Sequence, residues 1–164
     1  MKKYMILGLA VLVAGCGELA PADNTDSPDS IARYYVEGKS ISAPAENTGT
    51  TLAWEEGENT VIRYDAVHNG LPDTYDTGYT ESLLVQVPNG LDAFSFSNVE
   101  EMLGMDIDMH YIRSCECSHE RFILKSVQAK AQKQRDNTWF LAFEVEVSEG
   151  ENLFMLKDEG NYVK

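Results

Sequence analysis

The sequence predicts a mainly β fold: a single antiparallel β-sandwich or small β-barrel with one short helix, occupying residues 31–164. Three observations carry that prediction. Trp139, Leu141, Phe143, Val145 and Val147 occupy alternate positions, with Glu144 and Glu146 between them, which is the period of a half-buried strand. About eight short runs rich in β-branched and aromatic residues recur along the chain, divided by clusters of Gly, Pro, Asn and Asp. One segment, near Ser97, carries helix punctuation.

Taken in order, Ala32, Tyr34 and Val36 alternate with Arg33 and Tyr35, the first strand signal. Thr51–Glu55 and Thr60–Val67 are runs separated by Glu56-Gly57-Glu58-Asn59, a spacing that predicts a hairpin with a short loop. His68–Gly78 is dense in Gly, Pro, Asp and Asn and predicts a long loop. Tyr79–Val87 predicts a strand with Leu83, Val85 and Val87 on one face. Pro88-Asn89-Gly90 predicts a tight turn back, because Asn and Gly accept positive φ at low cost. Asp92–Ser97 then returns with Phe94 and Phe96 on one side.

Ser97-Asn98-Val99-Glu100 has the form of a capping box, with Ser97 as N-cap and Glu100 at the third helical position. Gly104 fits a C-terminal cap and limits the helix to about two turns. Phe122–Gln134 is the expected partner of the Thr138–Val147 strand, and its Lys125, Lys130 and Lys133 are expected to oppose Glu144 and Glu146. Its Ala, Lys and Gln content also fits a helix, with Ile123, Val127 and Ala131 four apart. Arg135-Asp136-Asn137 predicts the intervening turn, and Leu153–Leu156 and Tyr162-Val163 are candidate closing strands. A lipocalin-like barrel is one arrangement that meets the pattern.

The chain opens with MKKYMILGLAVLVAGC. Lys2 and Lys3 precede an uncharged run, Tyr4–Ala14, shorter than the roughly 20 residues a membrane-spanning helix needs. The run suits the h-region of a signal peptide over residues 1–15. Val13-Ala14-Gly15-Cys16 resembles the lipobox of bacterial lipoproteins. The resemblance covers residues 1–16 and implies cleavage before Cys16, a diacylglycerol thioether on its sulfur and an acyl chain on the new amine. Each buried methylene stabilises by ~0.8 kcal/mol, so two or three chains anchor a protein durably. Gly17, rather than Asp, follows the cysteine; in the sorting scheme the resemblance implies, this favours the outer membrane where the host has one. Residues 16–30 then form the lipidated cysteine and a tether rich in Pro, Asp, Ser, Asn and Thr, too polar to bury a core.

Removal of residues 1–15 takes basic residues from 13 to 11 against 27 acidic ones, a formal charge of −16. Such a surface repels phosphates, which excludes nucleic acid as an expected partner. It also repels anionic headgroups, so attachment to the membrane is expected to rest on the lipid at Cys16, with a protein in the envelope as the expected partner.

Met105–His119 concentrates the reactive residue types: Asp106, Asp108, His110, Cys115, Cys117 and His119. With Cys16 acylated, Cys115 and Cys117 are an even pair in an oxidising compartment, and a disulfide is the expected state. A straight strand would hold their Cα atoms ~6.5–7 Å apart. A bridge prefers ~5.5–6 Å and therefore needs a kink between Ser114 and Ser118. The alternative is a zinc or copper site on Cys115, Cys117 and His119, although Cys-x-Cys departs from the Cys-x₂₋₄-Cys of structural zinc sites. Free thiols are the third possibility. Asp73, Asp76 and Glu81 near Gly78 offer oxygen ligands for calcium, without the EF-hand spacing. Tyr75, Tyr79 and Trp54 offer surfaces for a sugar, although core or half-exposed strand positions are the expected fate of such aromatics, and His68, His110 and His119 are each expected at the surface rather than as ligands. No Gly-x-Ser-x-Gly, phosphate-cradling glycine loop or His-Glu-x-x-His occurs, so no catalytic residue and no cofactor is assigned.

The expected function is thus a lipid-anchored, non-enzymatic binding or structural β domain, with a small-ligand or metal-binding domain as the alternative.

Overall fold

A computed structural model describes residues 27–42, 53–69, 78–114 and 122–164. They form eight strands and one helix: β1 (Ser30–Ser42), β2 (Ala53–His68), β3 (Tyr79–Val87), β4 (Ala93–Phe96), α1 (Val99–Gly104), β5 (Asp108–Ser114), β6 (Phe122–Lys133), β7 (Trp139–Glu149) and β8 (Asn152–Tyr162). Two antiparallel sheets result, ordered β1-β2-β3-β5 and β4-β6-β7-β8. This is the sandwich rather than a closed barrel. The sheets are stitched at one corner, where the Tyr35 amide donates to the Val163 carbonyl (2.9 Å).

The inner faces follow the alternation of the sequence. Leu83, Val85 and Val87 of β3 face Leu141, Phe143 and Val145 of β7 in one core that also takes Tyr35, Ile62, Phe94, Phe96 and Trp139. Val127, Ala129 and Ala131 are buried at alternate positions of β6, the period of a strand, which decides against the helical reading of that segment.

Several local expectations are corrected. Glu56–Asn59 is no loop: β2 runs unbroken from Ala53 to His68. The pairing with β1 slips there, so that Gly57, Glu58 and Asn59 lie opposite Gly38, which has φ +71°. A Cβ on Gly57 would sit 2.0 Å from Ser40 Oγ, so only glycine fits the bulge. The bulge bends the β1–β2 pair across the outer face of its own sheet. The Ile41 amide reaches Gln86 Oε1 on β3 at 2.7 Å, and Ile41 packs on Val61 and Leu84 in a second, smaller core.

Pro88-Asn89-Gly90 does turn, with Gly90 at φ +88°, but it passes the chain to the other sheet, where β4 pairs with β6. The cap of α1 is Asn98, not Ser97: Asn98 Oδ1 accepts from the Glu101 amide (2.9 Å), while Glu101 reaches back to the Ser97 amide (2.8 Å). The capping box is present one residue downstream. Gly104 ends the helix from within, and Asp106 takes the left-handed conformation at φ 56°.

The lysines of β6 do not oppose the glutamates of β7. A bulge at Lys125 shifts the register, setting Gln128 against Glu144 and Ser126 against Glu146. Lys133 pairs instead with Glu37 (3.0 Å), and Lys157 of β8 stands opposite Glu144. The two candidate closing strands are one, β8. Among the described residues no helix is long and apolar enough to cross a membrane.

Candidate functional site

One end of the sandwich gathers the ends of β2, β5 and β7 and the starts of β3, β6 and β8. Period-two geometry points Met109, Tyr111 and Arg113 of β5 inward, and likewise Glu81, Leu83 and Val85 of β3. Both sheets therefore carry a charged residue in phase with the core at this end. The Arg113 guanidinium donates to Glu81 Oε1 on its own sheet (2.8 Å) and approaches Glu149 Oε2 on the facing sheet (3.5 Å). Tyr111 Oη donates to the same Glu81 oxygen (2.7 Å). His68 Nε2 lies 3.3 Å from the other Glu81 oxygen, and its ring stacks on Tyr79 at 4.3 Å and 12°.

Aromatic rings close the cluster. The guanidinium carbon lies 4.9 Å from the ring centre of Tyr79, 5.6 Å from Phe122 and 4.4 Å from Phe154. Arg113 thus joins the two sheets through charge and ring faces at once. Its Nε is buried and, among the described residues, has no hydrogen-bond partner. Burial lowers the proton affinity of Arg113, but the Glu81 hydrogen bond and the neighbouring charges outweigh it, so the net shift is upward and the group stays cationic. Burial, then the Glu81 charge, pushes the Tyr111 hydroxyl well above its ordinary value.

Glu81, read in the sequence as part of a solvated turn with calcium as the lesser alternative, is instead a buried acceptor committed to Tyr111, Arg113 and His68. Tyr79 stacks on His68 and Arg113. His110 lies elsewhere, on the outer face of its sheet, 2.8 Å from Asp108. That contact leads the causes that hold the Asp108 carboxyl below its usual range. Trp54 belongs to β2. Cys16, Asp73, Tyr75, Asp76, Cys115, Cys117 and His119 lie outside the described residues. Among the described residues no three His, Cys, Asp or Glu side chains are grouped to hold a metal ion.

Sequence reasoning passed over Arg113, Glu149 and Phe154. The signal for Arg113 was its phase: an arginine at an inward position of an alternating strand must find carboxylates or rings inside. As arranged, the cluster supplies directed hydrogen bonds, paired charge and ring faces at one end of the sandwich, largely buried between the two sheets. Comparison with family models, with curated proteins and with solved structures returned no significant match.

Proposed function

We propose that this chain is a membrane-anchored envelope lipoprotein whose β-sandwich acts as a non-enzymatic binding or structural domain. The observation that carries the reading is the opening segment, in which a short apolar run ends on Val13-Ala14-Gly15-Cys16. The lipid on Cys16 holds the protein at the membrane, at the outer membrane where the host has one. The polar segment between Cys16 and β1 is the tether that sets the domain off the headgroups. Two features of the sandwich support a binding role. Its interior is filled by Trp139, Tyr35, Tyr162 and branched aliphatic side chains, which leaves recognition to the surface and the ends. Its charged cluster ties the two sheets together where the connecting segments leave them.

Palmitate labelling tests the anchor. Cells expressing the parent chain should incorporate labelled palmitate into a processed product that partitions into detergent. Cys16→Ser should give an unlabelled, unprocessed precursor, because a hydroxyl does not form the thioether. A Cys16→Ser product that is cleaved and still partitions into detergent would falsify the assignment.

A further inference from the structure

The strand β8 closes its sheet, and among the described residues its outer edge is met at one end alone, where Val163 exchanges backbone hydrogen bonds with Arg33 and Tyr35. At the other end the edge carries Leu153-Phe154-Met155-Leu156, four apolar residues in succession. Phe154 and Leu156 pack inward. Leu153 and Met155 face out and are 62% and 52% exposed. Monomeric β proteins blunt such an edge with charge, proline or a bulge, and none of these interrupts this run.

The outer face beside the edge extends the apolar surface. Register places Ile123, Ser148 and Leu153 in one row across β6, β7 and β8. Ile123 is 49% exposed and Ser148 only 3%, so two large apolar side chains flank a small sunken one, a notch suited to a side chain. The next row holds Ser126, Glu146 and Met155, and the one after it Gln128, Glu144 and Lys157. Glu151 sits in the turn that leads into β8. Apolar positions are therefore bordered by carboxylates.

We propose that the Asn152–Leu156 edge of β8 receives an extended, basic segment of a partner protein, which adds a strand to the sheet. The inference rests on the binding role proposed above and names the chemistry of the partner. The edge offers main-chain hydrogen bonds. Residues of the added strand that point inward continue the rows of Phe154 and Leu156 and are apolar. Those between point to the outer face beside Leu153 and Met155, where the long side chain of a lysine or arginine reaches across β8 toward Glu146 and Glu151. Charge argues against a second copy as the occupant. An antiparallel β8–β8 pair centred on Met155 would set Glu151 against Glu159 and bring together two chains whose formal charge is −14 each before processing.

The probe is a short fluorescent peptide of alternating lysine and valine, titrated by anisotropy into the full mature protein held in phosphatidylcholine nanodiscs. The parent should bind it, and amide exchange should slow at Leu153–Leu156 on binding. Leu153→Lys/Met155→Lys, which alters only exposed side chains, should weaken binding at least about tenfold. Glu146→Lys/Glu151→Lys should weaken it similarly and should admit a glutamate–valine peptide instead. Equal affinity for parent and Leu153→Lys/Met155→Lys, or protection confined to other strands, would overturn the proposal. Self-association of the parent that the same double variant abolishes would assign the edge to a second copy and overturn the basic partner. Palmitate incorporation is read separately, so loss of the anchor assignment and loss of the docking site give different results.

Discussion

Two arginines enter this sandwich, each with a carboxylate and a tyrosine, and they are used differently. Arg33 of β1 grips Asp158 of β8 with Nε at 2.6 Å and Nη2 at 2.5 Å, and Tyr162 Oη donates to the same carboxylate at 3.0 Å. One fork meets one carboxylate, and the pair clips the edges of the two sheets. Arg113 is divided between Glu81 and Glu149, lies against three rings and keeps an unpartnered Nε. The first arrangement is closed and geometrically complete. The second is redundant and incomplete: the charge is shared between two carboxylates on facing sheets. Hence the same residue types should contribute unequally to stability.

The largest effect is expected at the closed clip. Asp158 is 7% exposed at its side chain and Arg33 30%, so Asp158→Ala strands a half-buried cation and should cost about 3 kcal/mol, the low end for a broken buried pair. Gly160 tests the same contact sterically. A Cβ there would lie 2.8 Å from Arg33 Nε and 2.9 Å from Cδ, forcing the guanidinium off its partner. Gly160→Ala should therefore cost about 1–2 kcal/mol in the parent and much less in the Asp158→Ala background. Urea unfolding of the four proteins measures both costs. Additive costs would mean that Gly160 acts independently of the clip.

A smaller effect is expected from the tyrosines. Tyr162→Phe removes one hydrogen bond to a charged acceptor and should cost about 1.5 kcal/mol at pH 7. The pH dependence has a definite sign. Burial, then the Asp158 charge, raises the Tyr162 hydroxyl above its ordinary value, and the same causes push Tyr64 up to about 12. A group whose folded pKa is raised contributes stability in full below its unfolded pKa, about 10 for tyrosine, and loses it as pH rises further. The parent should lose stability from pH 10 upward, and the gap between parent and Tyr162→Phe should narrow there. Unfolding midpoints at pH 7, 10 and 11 decide this; a gap that widens would contradict the burial argument.

The difference between the clusters also marks what could be read without coordinates. Alternation exposed β3 and β7 because Leu83, Val85, Val87 and Trp139 through Val147 leave every second position to one face. Arg33, Arg113 and Asp158 hold inward positions on strands whose phase the sequence did not show, whereas Glu81 lies in the β3 period and its burial was legible. Their partners were not: Arg33 and Asp158 are 125 residues apart, and no local pattern encodes that meeting. Glu56–Asn59 misled for a related reason. Glycine beside polar residues reads as a turn, whereas Gly57 is required by contact with Ser40 on the next strand. The one-residue shifts at Asn98 and Lys125 arose where either neighbour satisfies the local rule and packing chooses. Of the candidate site, Tyr79 takes the half-exposed strand position expected of it, Glu81 is buried rather than in a solvated turn, and Cys115, Cys117 and His119 lie outside the described residues.

The smallest effect is expected when the charges of the Arg113 cluster are removed together, and it sharpens the contrast most. Arg113→Met removes a cation from between two carboxylates, which alone would destabilise. It also removes the desolvated, unpartnered Nε and leaves an unbranched chain that fills the space among Tyr79, Phe122 and Phe154, where sulfur–ring contacts are favourable. Glu81 keeps the Tyr111 hydroxyl, and Glu149, 16% exposed at its side chain, has access to water. Replacing a buried ionic set by apolar groups of similar volume is often near neutral. Arg113→Met alone leaves the Glu81 carboxylate without its cation and should cost about 2 kcal/mol, whereas Arg113→Met/Glu81→Gln, which removes that buried charge as well, should return to within about 0.5 kcal/mol of the parent. Arg33→Met should cost more than Arg113→Met, because Asp158 is the more buried carboxylate and loses both donors of one fork. Measured by urea unfolding at pH 7, equal costs for the two methionine variants would show that Arg113 clamps the sheets as firmly as Arg33. The Arg113 cluster would then be a joint of the same rank as the Arg33 clip.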